Sequence, residues 1–143
     1  MRTGRPPPVH HPVLARSEET PAPRPELSMF ITTLVITTLF ALTLLFSAYG
    51  KLVRDPQQMK TLEHVGFPAQ RVPLLATAEI AGAVGILMGL AWKPLGVAAA
   101  IGLIAYFTGA VASHLRIRDW RILPSAVLLL AAVATLALRL VLR

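Results

Sequence analysis

Four stretches of the chain run almost without a polar break: Met29 to Tyr49, Val72 to Trp92, Leu95 to Ser113 and Ile122 to Val141. Each reaches or approaches the ~20 residues an α-helix needs to cross ~30 Å of hydrocarbon. The first, MFITTLVITTLFALTLLFSAY, contains threonines, but their hydroxyls can turn back to the preceding helical turn. Lys93-Pro94 sets a tight turn between the second and third runs and makes them a hairpin. Pro124 falls in the first turn of the fourth, where its missing N–H is harmless. Short links and antiparallel neighbours predict an all-α fold, an integral membrane four-helix bundle.

The link between the first two runs has its own pattern, DPQQMKTLEHVGFP. Asp55 suits an N-cap, Pro56 the first helical position, and Gly66 with Pro68 a stop. Met59, Leu62 and Val65 recur every three residues, with Lys60, Glu63 and His64 elsewhere. A short amphipathic helix follows, lying in the membrane interface or folded back as a lid over the bundle's end.

Composition agrees with this pattern. Only 15% of the 143 residues are charged and the mean hydropathy is +0.62, whereas soluble domains carry about 25% charged residues. The net charge of +7 does not point to nucleic acid, because the basic residues sit in the N-terminal tail and at the ends of apolar runs. Cysteine is absent. Disulfides, thiol redox chemistry, Fe–S ligation and c-type haem attachment are thereby excluded, and any redox role needs a bound cofactor or a partner subunit. No zinc spacing, P-loop, dinucleotide fingerprint or nucleophile elbow occurs, and no metal site is expected.

Residues 1–28 are rich in Pro, Arg and polar side chains and are predicted to be a disordered tail, leaving residues 29–143 as the membrane domain. Met29 stands at the start of the first run, so initiation there would dispense with the tail. Loops one and three share one side of the membrane and hold Lys51, Arg54, Lys60, Arg71, Arg116, Arg118 and Arg121. The opposite side holds Lys93, Arg139 and Arg143, plus the tail's four arginines if present. Without the tail the bias makes loops one and three cytoplasmic; with it the count ties.

Small residues form a stripe on the second run at Ala78, Gly82, Gly85 and Gly89. A second stripe on the third comprises Ala98, Gly102, Ala105, Gly109 and Ala112. The two stripes are expected to seat against each other, since close approach holds helices together where lipid gives no hydrophobic drive.

One carboxylate, Glu79, interrupts the second run, about two helical turns in from Pro73. Facing lipid there it would cost a few kcal/mol or more. Chain direction brings Tyr49 and Lys51, Tyr106, and His114 to the same half of the bundle. Three states of Glu79 remain open: an ion pair with Lys51 that fixes helix register, a proton or ligand site, and a neutral acid bonded to a carbonyl or hydroxyl. His114 reads as an interfacial histidine or as a relay. Neither it nor His64 lies deep enough in a run to suit haem.

SAYGKL at the end of the first helix, LEHVGFP in the first loop, AEIAGAVGILMGL in the second helix and YFTGAVASH ending the third resemble the DoxX-like family. The resemblance covers about residues 38–138 and sets Gly50, Lys51, Gly66, Pro68, Glu79, Gly82, Gly89 and His114 on recurrent family positions. It implies a multi-pass protein of the bacterial inner membrane. It further implies an accessory or quinone-site subunit of a membrane oxidoreductase system, with a membrane or soluble oxidoreductase as partner. Two alternatives stand beside this: a structural or assembly subunit without ligand, and a small proton-coupled transporter. With no soluble catalytic domain, autonomous turnover is not expected.

Overall fold

The computed structural model describes residues 25–141; the tail expected over residues 1–28 lies outside them except for its last four. Five α-helices follow in order: α1 Pro25–Leu52, α2 Pro56–His64, α3 Val72–Met88, α4 Lys93–Arg116 and α5 Leu123–Val141, with a 3-10 turn Ala69–Arg71 leading into α3. Four helices, α3 taken with its 3-10 lead-in, are long and apolar enough to cross a membrane. They close a ring in which α1 and α4 each pack against α3 and α5. Across its centre Phe40 of α1 meets Phe107 of α4 with ring centroids 6.4 Å apart, alongside Leu44, Ile86 and Leu103.

Local chemistry accounts for most helix ends. Asp55 caps α2, accepting from the Gln57 and Gln58 N–H groups at 3.1 and 3.0 Å. Gly66 ends the link with φ +76°, the left-handed region that glycine tolerates best. Thr32, Thr33 and Thr43 donate to the carbonyls of Ser28, Met29 and Leu39, the back-bonding that lets hydroxyls enter a membrane helix.

Two boundaries and one helix face differ from expectation. Residues Pro25 to Ser28, ahead of Met29, already belong to α1, because nothing in ELS stops a helix. The hairpin turn is made by Gly89–Trp92, not by Lys93-Pro94, which instead occupy the first positions of α4. α4 is also rotated from the predicted face. Gly102 and Gly109 have open space where a Cβ would be, and Ala98, Ala105 and Ala112 are likewise exposed. The buried face is Gly96, Ala100, Leu103, Phe107 and His114, since Leu103 and Phe107 gain far more dispersion contacts inside than glycines do. On α3 the stripe holds at Gly82, Gly85 and Gly89, which meet Leu103, Ala99 and Gly96 of α4, but Ala78 is exposed.

Candidate functional site: a polar cluster beneath an amphipathic lid

Glu79 lies on the face of α3 that carries Val72, Ala76, Ala83 and Ile86, and the same helical period that buries those apolar residues buries the acid. It is 2% exposed. Lys51, one turn beyond the apolar end of α1, reaches over with Nζ 3.0 Å from each carboxylate oxygen. The same ammonium donates to Ser47 Oγ at 2.8 Å, and Ser47 in turn donates to Glu79 Oε1 at 3.3 Å. From α4, Tyr106 donates its hydroxyl proton to Oε1 at 3.0 Å, its ring held edge-on to Phe107. The lone acid of the second span is thus neutralised by a cation and bonded by two hydroxyls from the flanking helices. Ionised, it satisfies the rule that a buried charge must be paired and hydrogen-bonded.

The cluster forms part of the wall of a cavity of about 790 Å³. Phe46, Leu62, Phe67, Leu75, Phe107 and Leu128 make most of the apolar wall. α2 folds over the end of the bundle: Gln57, Gln58, Thr61 and Leu62, with Val65 just after the helix, line this cavity, and Gln58 lies so close over Gly50 that a Cβ there would meet its amide at 2.2 Å. The short helix is a lid on one end of the bundle.

His114, 6% exposed, lines the same cavity. Its partner is not Glu79. Nδ1 lies 3.0 Å from Asp119 Oδ2 in the α4–α5 loop, and Asp119 Oδ1 accepts from the Arg121 N–H at 3.0 Å. That backbone N–H first, and then the His114 and His64 rings, hold the Asp119 carboxyl below the usual carboxylate range against the opposing desolvation. The expected meeting of acid, amine and imidazole therefore divides into two adjacent pairs, Lys51–Glu79 and His114–Asp119. Tyr49 is 63% exposed at the cavity rim and makes no contact with the acid, because it falls on the outer side of α1 while Ala48 takes the inner one.

Sequence reasoning missed three participants. Ser47 and Asp119 carry no signal of their own, a lone serine in a span and an acid in a basic loop. Arg139, read as an end-of-span anchor, is 5% exposed. Its guanidinium donates to the Gly89 carbonyl and, at 2.6 Å, to the Ile86 carbonyl, satisfying the open C-terminal end of α3. Spacing could have suggested it, because Arg139 stands four and seven residues after the inward-facing Thr135 and Ala132. Among the described residues no cluster of three metal-ligating side chains occurs.

No curated protein and no solved structure matches the chain. A model of the DoxX-like family matches residues 35–136, a span that takes in Lys51, Glu79, Tyr106, His114 and Asp119. With the greater part of its length matched, this four-span membrane protein belongs to the DoxX-like family.

Proposed function

We propose that the protein is an accessory or quinone-site subunit of a membrane oxidoreductase system, and that its cavity receives the headgroup of a lipid-borne quinone. The observation that carries this reading is the cavity itself. Its volume falls within the ~300–1,000 Å³ usual for small-molecule sites, and its walls are mainly apolar with a few convergent polar groups. Phe46, Phe67 and Phe107 suit an aromatic ring, while His114, Gln58 and Ser125 supply polar atoms for its oxygens beside the Lys51–Glu79–Tyr106 cluster. A bound quinone supplies two-electron, two-proton chemistry, and the residues here bind and orient the ring, exclude water beneath α2 and hold protons at the cavity mouth. Electrons come from a partner subunit or another bound cofactor, since the chain has no cysteine for an Fe–S cluster or a redox disulfide. We place the α1–α3 and α4–α5 links at the cytoplasmic face of a bacterial inner membrane. Burial of Arg139 removes one of the opposing positive charges from the interface. Single cysteines introduced at Lys60 and Trp92 would then be labelled from opposite sides.

The experiment is a titration of the purified protein in lipid nanodiscs with a decyl-substituted quinone. Saturable binding that weakens in Glu79→Gln is expected. Binding unchanged in that variant, or none in the wild type, would remove the assignment.

One observation favours the structural reading. The three protons of Lys51 and the single proton of Tyr106 are all directed at Ser47 or Glu79, as in a lock that sets helix register. On that reading Glu79→Ala unfolds or loses its partner while no small molecule binds the wild type.

A further inference from the structure

Asp119 does more than tie down a loop. An ionised carboxylate offers only acceptors, so the His114 nitrogen facing Oδ2 must carry the ring proton. In the neutral imidazole the other nitrogen, Nε2, is then a bare lone pair. The ring's one hydrogen bond among the described residues is made by Nδ1, and His114 belongs to the cavity wall. The deeper donors are already committed to Glu79 and Ser47. Gln58, Ser125 and, at the rim, Tyr49 also line the wall, yet each can turn either a donor or an acceptor toward a ligand and so does not discriminate. A carbonyl oxygen entering the cavity finds the strongest donors engaged, whereas a hydroxyl finds a free acceptor.

We propose that His114 Nε2, held in its acceptor tautomer by Asp119, selects the hydroxyl-bearing form of the ligand, a dihydroxy-aromatic ring over its dicarbonyl counterpart. This rests on the ligand class proposed above. Asp119 is a positioning residue, acting only through His114. A carbonyl set against Nε2 would leave both acceptors unpaired, a mismatch worth about tenfold in affinity.

The geometry also supplies the means to reverse the preference. In Asp119→Asn the Arg121 N–H still requires an acceptor, so the amide oxygen keeps the Oδ1 position and the NH₂ turns to His114. Nδ1 must then accept, the ring proton moves to Nε2, and the acceptor becomes a donor.

The test uses the full chain in nanodiscs, with the protonation of the His114 ring read directly by nitrogen NMR. Three probes are compared: a ring-methylated decyl hydroquinone kept reduced with ascorbate, its dimethyl ether, and the matching benzoquinone. The hydroquinone should bind about tenfold more tightly than the other two, and Asp119→Asn should abolish or invert the preference for it over the quinone. Nitrogen NMR of His114 should show the proton on Nδ1 in the wild type and on Nε2 in the variant. Equal affinity for the hydroquinone and its ether, or a wild-type ring protonated on Nε2, would overturn this inference and leave the ligand class standing. Failure of all three probes to bind would overturn the ligand class and this inference with it. The wild-type NMR and the hydroquinone-to-ether ratio decide the matter even if the variant does not fold.

Discussion

Lys51 Nζ stands 3.0 Å from both carboxylate oxygens of Glu79, joining the end of α1 to the interior of α3. The two partners are unequally placed: the lysine side chain is 10% exposed at a helix end, the glutamate 2% exposed within a span. Removing the cation strands a buried carboxylate, and a broken buried pair costs about 3–5 kcal/mol. Removing the acid leaves a lysine that can lift its ammonium toward the headgroups. Lys51→Met should therefore destabilise the bundle more than Glu79→Gln, and the double variant should recover part of the loss. Denaturant or thermal unfolding in detergent gives the order; the reverse order would mean the carboxylate is not buried with its cation.

Arg139 does at the opposite end of α3 what no residue of α3 can do for itself. Its guanidinium bonds two carbonyls at once, those of Ile86 and Gly89. A lysine is a point charge on a flexible stem and cannot reproduce this planar fork. Arg139→Lys is expected to lose about 2 kcal/mol, and Arg139→Met at least as much, in the same unfolding assay. Unchanged stability in both would show that the carbonyls are satisfied otherwise.

The glycines of the hairpin divide cleanly. A Cβ on Gly89 would fall 2.2 Å from the Gly96 Cα and 2.6 Å from its nitrogen, both backbone atoms that cannot swing aside. Gly89→Ala should cost about 1–3 kcal/mol, as overpacking does. Gly102 has nothing within 4 Å of the same position. Gly102→Ala should be neutral or stabilising by up to about 1 kcal/mol, the difference in helix propensity. Melting temperatures of the two variants check both signs.

These glycines also show how far the sequence could be read. The spans, the Asp55 cap, the Gly66 stop and the inward turn of Glu79 rest on strong local signals: apolar length, turn chemistry and the cost of a charge in lipid. The face of α4 does not. Its small residues recur at helical spacing on two stripes, Ala98–Gly102–Ala105 and Gly96–Ala100, and periodicity favours neither. The choice falls to the volumes of Leu103 and Phe107 filling the centre opposite Phe40, a property of the assembled ring. Long-range pairing hid the rest of the site. Nothing near His114 in the chain announces that Asp119 folds back to it, and an arginine near the end of a span reads as an anchor until Ile86 and Gly89 appear beside it.

The His114–Asp119 latch has a defined pH dependence. The Asp119 carboxyl lies below its usual value of 3.8, chiefly through the Arg121 N–H and then His114. A lowered carboxyl stabilises the folded state above its unfolded value, and that contribution fades as pH falls through the lowered folded value. Asp119→Asn should melt below the wild type at neutral pH, with the gap closing only under strongly acidic conditions, below about pH 3.8. A gap already closed well above that range would mean that ionisation of the Asp119 carboxyl does not control the latch.

The place proposed for the ligand is the cavity beneath α2. Gly109 lines it and a Cβ there would meet no atom within 4 Å, so Gly109→Phe sets a bulky ring at the cavity wall without contact to the Lys51–Glu79 pair. Titration of the decyl hydroquinone into this variant should show affinity reduced by at least about tenfold with an unchanged melting temperature. Undiminished binding by a folded Gly109→Phe protein would contradict it.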